Sequence, residues 1–108
     1  MGYCTYFSLN VESATTEQQK QIHDWLCNHN IIGYALDVAW EPYDMVKWYD
    51  EEKDMKALSA LFPSIHFIMS GDGEDSGDIW VKHYVGGKVQ RCYAEIVIPE
   101  YDPAKLGE

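Results

Sequence analysis

The sequence predicts an α+β domain, a two-layer sandwich with two helices on a mainly antiparallel sheet. Three observations predict it. Residues 3 to 11 alternate apolar and polar, the period of a half-buried strand. Two segments, opening near Thr15 and Asp50, carry apolar residues at three- and four-residue spacing behind a capping residue. From Ile65 to Ile98 alternation returns, broken at Gly86-Gly87, a composition suited to a two-residue hairpin turn.

In the first strand Phe7, Leu9 and Val11 share one face, and Tyr6, Ser8 and Asn10 the other. Thr15, Thr16 and Glu17 open the first helix, with Thr15 and Gln18 at capping-box spacing. Its apolar stripe is Ile22, Trp25 and Leu26, and it ends near Asn28-His29-Asn30. Ile31 to Leu36 reads either as a short strand or as an apolar loop on the core. Glu41-Pro42 breaks what precedes it, and Met45 to Tyr49 is rich in strand formers.

Asp50 is a suitable N-cap for the second helix. Glu51, Glu52 and Asp54 crowd its first turn, where they complement the partial positive charge of the helix end. Met55, Leu58, Leu61 and Phe62 form its buried stripe, and Pro63 ends it. Ile65, Phe67 and Met69 alternate with His66, Ile68 and Ser70 in the next strand, and Gly71 to Gly77 is a loop. Ile79 to Val85 and Lys88 to Ile98 form the hairpin, closed by Pro99, with residues 100–108 a loosely held tail. The order is β-α-β-α-β-β-β, which follows the ferredoxin-like order through its first elements and adds a strand. No repeat or linker divides residues 1–108, so a single domain is expected.

Eight Lys and Arg stand against eighteen Asp and Glu, a net charge of -10. Such a surface repels phosphate backbones and anionic membranes, so nucleic acid and membrane are disfavoured as partners. A basic protein surface is attracted instead. With 46% hydrophobic residues the chain has material for a core, which argues against disorder. The N-terminus lacks the basic start and apolar run of a signal peptide, and Tyr6 stands where a myristoylation motif needs Ser or Thr. No apolar stretch reaches the ~20 residues of a membrane span. Cys4, Cys27 and Cys92 are odd in number and scattered, which fits a reducing cytoplasm rather than a disulfide framework.

No catalytic motif is present, and no metal or cofactor is expected. Counting from Asp72, Glu74, Ser76 and Asp78 fall at calcium-loop positions with Gly77 at the turn, but the closing carboxylate position holds His83. His23 and Cys27 are four apart on a helix without a second pair to complete a zinc site; Cys27 is expected near the core and His23 exposed. Cys92 as a nucleophile would need His66 or His83 beside it, and nothing local enforces that.

Lys47-Trp48-Tyr49-Asp50, Glu52, Asp54-Met55 and Phe62-Pro63 lead into Gly71-Asp72-Gly73-Glu74-Asp75-Ser76-Gly77-Asp78-Ile79-Trp80, and the end reads Ala94-Glu95-Ile96-Val97-Ile98-Pro99. Over about residues 43–105 this resembles a group of small proteins of bacteriophages and prophages. It is more distantly similar to the YubB-like ferredoxin-like domain, in which a Lys-Trp strand also follows the first helix. The resemblance implies a mobile-element origin and a ferredoxin-like fold, and brings no activity and no site residues.

The expected function is that of a non-catalytic, phage-encoded acidic interaction protein in the host cytoplasm. Its concrete form is an anti-defence (anti-CRISPR) inhibitor that mimics DNA toward a host or phage protein with a basic surface. The expected contacts are Asp72, Glu74, Asp75 and Asp78 in the loop and Asp50, Glu51, Glu52 and Asp54 at the helix start. The alternative is a small single-strand-binding factor that stacks bases on an open sheet face of Trp80, Lys82, Tyr84, Arg91 and Tyr93, with Cys92, Ala94, Ile96 and Ile98 facing the helices. Those same aromatics would also suit a homodimer interface.

Overall fold

The computed structural model describes residues 3–95 and 97–107. The first alternating segment forms strand β1 (Thr5–Glu12), which buries Thr5, Phe7 and Leu9 and exposes Tyr6 and Asn10. Helix α1 (Thr16–Asn28) starts on the expected capping box: Thr15 Oγ1 accepts from the Gln18 amide and Gln18 Oε1 from the Thr15 amide, at 3.1 and 3.0 Å. Ile22 and Leu26 are fully buried, and Asn30 adopts a positive φ of 60° just beyond the helix end.

Helix α2 (Glu51–Leu61) buries Glu51, Met55, Leu58 and Ser59, one stripe at four-, three- and one-residue steps. Leu61, expected in that stripe, is exposed, and Ser59 takes the inward place. Its hydroxyl is satisfied there, donating to the Lys56 carbonyl and accepting from the Gly87 amide at 2.9 Å, which ties the helix to the hairpin turn.

Strands β2 (His66–Gly73), β3 (Ile79–Val85) and β4 (Lys88–Tyr93) complete a four-stranded antiparallel sheet in the order β1-β2-β3-β4. The element order is therefore β-α-α-β-β-β, not β-α-β-α-β-β-β, and the ferredoxin-like order expected above is not formed. The missing strand is the one expected at Met45 to Tyr49, and Ile31 to Leu36 takes the loop form of its two readings. Ile31, Ala35 and Leu36 bury themselves in consecutive turns, with the Ile31 carbonyl accepting from the amides of Ala35 and Leu36, so the apolar run needs no ladder. Asp37 then caps the amides of Ala39 and Glu41.

The segment goes on to run along the outer edge of β1. Leu9 donates to the Trp40 carbonyl at 2.9 Å, and Thr5 and Val46 exchange both amide bonds, the only ladder contact of the expected Met45–Tyr49 strand among the described residues. Trp40 holds a positive φ of 65°, costly for a bulky residue, and its buried indole N–H has no acceptor among the described residues.

The last strand also ends early, at Tyr93 rather than Ile98. Ala94 still donates to the Ile79 carbonyl at 2.8 Å, and beyond it the described residues are exposed; Ile96 lies outside the described residues.

Directly paired residues share a face of a sheet. One face therefore carries three rows across all four strands: Phe7, Gly71, Trp80, Tyr93; Leu9, Met69, Lys82, Arg91; and Val11, Phe67, Tyr84, Val89. The helices cover this face, and with Ile22, Leu26, Leu36, Trp48, Met55, Leu58 and Ile65 it forms the core. The opposite face has no covering layer among the described residues.

Candidate functional site

The four carboxylates expected at the start of α2 are mostly consumed inside the molecule. Glu51 is 3% exposed and accepts from Lys82 Nζ at 2.8 Å and from the Tyr84 hydroxyl at 2.6 Å. Glu52 takes a two-pronged bond from Arg91, both contacts at 2.6 Å, and lies 3.1 Å from Lys82. Asp54 accepts from the Trp48 indole at 2.8 Å. Asp50 is exposed and makes no side-chain cap bond.

The electrostatics follow from these contacts. The Arg91 guanidinium pulls the Glu52 carboxyl down to about 2, against a smaller opposing effect of burial. Burial pushes Glu51 up, opposed by Lys82 and Tyr84. Burial works against the charge of Lys82, and its contacts with Glu51 and Glu52 outweigh that and raise it. Burial and the Glu51 carboxylate keep the Tyr84 hydroxyl protonated.

The sheet face expected to be open is therefore the covered one. Trp80 is 8% exposed and Tyr84 fully buried, with Lys82 Nζ 4.3 Å from the centre of the Trp80 ring. Phe7 meets Trp48 and Trp80 edge-on at 5.1 and 5.9 Å. Lys82 and Arg91 point to α2 to meet its carboxylates, and of the expected aromatic rings only Tyr93, at the sheet corner, is exposed, beside the partly exposed Arg91. Cys92 lies on the other face, opposite Val81, so the alternation was read in the wrong phase.

The loop acids divide. Asp78 accepts from the Tyr3 hydroxyl, which in turn accepts from the Asp75 amide at 2.9 Å, and Glu74 accepts from the Cys4 amide at 2.6 Å. The bond to Asp78 raises Tyr3 above its ordinary value, and burial together with Glu74 raises the Cys4 thiol, which lowers its thiolate fraction. Gly73 permits this tie, since a Cβ there would strike Asp78 and Tyr3. β2 runs on to Gly73, so the loop itself is shorter than expected. Asp72 faces the open side opposite Tyr6 and Ile79. Among the described residues no cation lies within ion-pair distance of Asp72, Glu74 or Asp75.

The open face holds one polar constellation that sequence reasoning did not assemble. His66 Nε2 and His83 Nδ1 are 2.7 Å apart, and Glu12 Oε2 lies 3.5 Å from the other ring nitrogen of His66. A shallow cavity beside them is lined by His66, His83, Val85, Lys88, Val89 and Gln90. Pairing parity alone would have brought His83 and Gln90 together; the diagonal His66–His83 contact depends on strand register. Among the described residues no hydrogen bond joins Cys92 to either histidine, and no group of three or more His, Cys, Asp or Glu is arranged to hold a metal. On α1, Cys27 turns to solvent and His23 is half-buried, the reverse of expectation, because Leu26 takes the inward position.

The fold thus defines a four-stranded antiparallel meander with both helices inserted after its first strand and packed on one face. Comparison of the chain with protein-family models, curated proteins and solved structures finds no match. Among the described residues no helix is long and apolar enough to cross a membrane.

Proposed function

We propose that this chain is a non-catalytic acidic interaction protein that docks a basic surface of a partner protein through the loop end of its sheet. One observation carries the reading. In the helix cluster Lys82 and Arg91 pair with Glu51 and Glu52 and Trp48 bonds Asp54, leaving Asp50 alone exposed without a side-chain bond, whereas Asp72, Glu74 and Asp75 together have no cation among the described residues. The contact surface is thus narrowed to the loop, with Asp78 and Glu74 holding its shape through Tyr3 and Cys4. Negative charge on a well-held loop steers a basic partner at little ordering cost.

The resemblance of residues 43–105 to phage proteins supports a host or phage partner in the bacterial cytoplasm, and inhibition of a DNA-handling defence protein by mimicry is the concrete version. Base stacking on the sheet has no support now that Trp80 and Tyr84 are buried.

The test is affinity capture from a bacterial lysate, followed by binding measurements with the purified partner. Binding is expected to weaken steeply with salt, to be competed by duplex DNA, and to fall about tenfold or more in an Asp72→Lys/Asp75→Lys variant. Equal binding by that variant overturns the loop as the contact. Tight, salt-sensitive binding of single-stranded oligonucleotides by the chain itself overturns the whole reading.

A further inference from the structure

Four large apolar side chains stand in water on the described part of the tail: Val97 is 79%, Ile98 84%, Tyr101 73% and Leu106 65% exposed. The radius of gyration is 17.1 Å, against about 13 Å for a compact chain of this length. The longest dimension is 57 Å and the shortest 22 Å. The tail is therefore held off the body that could have covered it.

The same chain carries an uncovered receptor for such a segment. The cavity takes Val85 from the open face and also touches Val89, whose row faces the helices, and its charged and titratable members are Lys88, His66 and His83. In a molecule of net charge -10 the cavity thus brings one cation, Lys88, beside two imidazoles and the Gln90 amide. Glu12, from β1, already faces His66, while Lys88 has no carboxylate within ion-pair distance among the described residues. The tail matches in kind: its apolar residues are flanked by Glu95, Glu100 and Asp102.

We propose that the tail docks on the open sheet face of a second copy of this chain, with Val97, Ile98 and Tyr101 against the cavity and Glu100 toward Lys88. The placement of the two features favours a second copy over the chain's own cavity. The tail leaves β4 at Tyr93, which pairs with Trp80, whereas the cavity lies at the other end of the same strands, where Lys88 pairs with Val85. A two-fold axis lets each tail run to the far cavity of the other copy, a closed and self-complementary exchange. Both apolar surfaces are then covered in one step. The contact uses the opposite end of the open face from Asp72, so it leaves the loop free.

The experiment is sedimentation equilibrium of the full chain over a range of concentrations in physiological salt. A monomer–dimer equilibrium is expected for the wild type. Val97→Asp/Ile98→Asp is expected to weaken it about tenfold or more, and these substitutions spare the fold because both side chains are solvent-exposed. Lys88→Glu is expected to weaken the dimer as well, and adding Glu100→Lys to restore it. Circular dichroism melts of each variant establish that the fold is kept. A chain that stays monomeric up to its solubility limit overturns the proposal. So does a dimer indifferent to Val97→Asp/Ile98→Asp, which would place the contact elsewhere, for example on the unpaired edge of β4.

Discussion

At the scale of single residues, the carboxylates of α2 show how little a charge count says about where charge is available. Glu51 and Glu52 are neighbours in sequence and have opposite fates. Glu51 is buried and raised, whereas Glu52 is bonded by Arg91 and held at about 2. The consequence for stability has a definite sign. Glu52 ordinarily titrates near 4.5, so its contribution is complete above about pH 4.5 and is lost as pH falls toward about 2. Glu51 acts in the opposite sense: its contribution is present below its unfolded value and lost as pH rises through the raised one. Arg91→Ala should flatten the acid limb between about pH 4.5 and 2, while leaving the Glu51–Lys82 pair in place. Urea unfolding of both proteins across that range checks it, and an unchanged acid limb contradicts it. None of this was readable beforehand. In Ile79–Val85 both phases of the alternation carry apolar residues, and the phase is chosen by the larger rings of Trp80 and Tyr84 and by the carboxylates waiting on α2.

At the scale of elements, local signals were legible and long-range ones were not. The capping box at Thr15 and Gln18 and the hairpin turn at Gly86-Gly87 depend on neighbours in sequence, and both formed as read. Ile31 to Leu36, readable as strand or as loop, gained their burial from turns, an outcome that hydrophobicity alone does not distinguish from pairing. Met45 to Tyr49, read as a strand, keeps only the bridge at Val46 among the described residues. Gly71 is a case where pairing explains a composition. It sits between Phe7 and Trp80 in one row, and a Cβ there would enter the indole of Trp80. Gly71→Ala is expected to cost about 1–3 kcal/mol, since the buried ring has to move. Chemical denaturation followed by tryptophan fluorescence measures both the loss and any change in the ring's surroundings; a loss near zero would show that Trp80 has free room.

At the scale of the whole molecule, the acidity read from composition stands, but its distribution comes from the fold. Pairing Lys82 and Arg91 with Glu51 and Glu52 removes as many cations as anions, so the full net charge of -10 falls on the remaining surface. The sheet separates a load-carrying side from an open one. The tail belongs to neither, because its apolar residues find no place on their own body. A chain ending at Glu95 should therefore melt within about 2 °C of the full chain when both are dilute and monomeric, a difference corresponding to well under 1 kcal/mol for a domain of this size. Differential scanning fluorimetry at low concentration tests this, and a larger drop would mean that the tail supports the fold.

The topology also sets an order of assembly. β2, β3 and β4 are joined by short connections and can close on one another quickly, whereas β1 pairs only with β2, across both helices and the irregular segment between them. During synthesis β1 leaves the ribosome before its ladder partner, His66–Gly73, which is made more than fifty residues later. Until then the strip from Trp40 to Val46 can bond the outer-edge amides of Thr5 and Leu9, while the amides facing β2 wait for that strand. Of the four strands β1 is thus made earliest and fully satisfied last, and the bonds from Tyr3 and Cys4 to the loop after β2 latch it to its late-made partner.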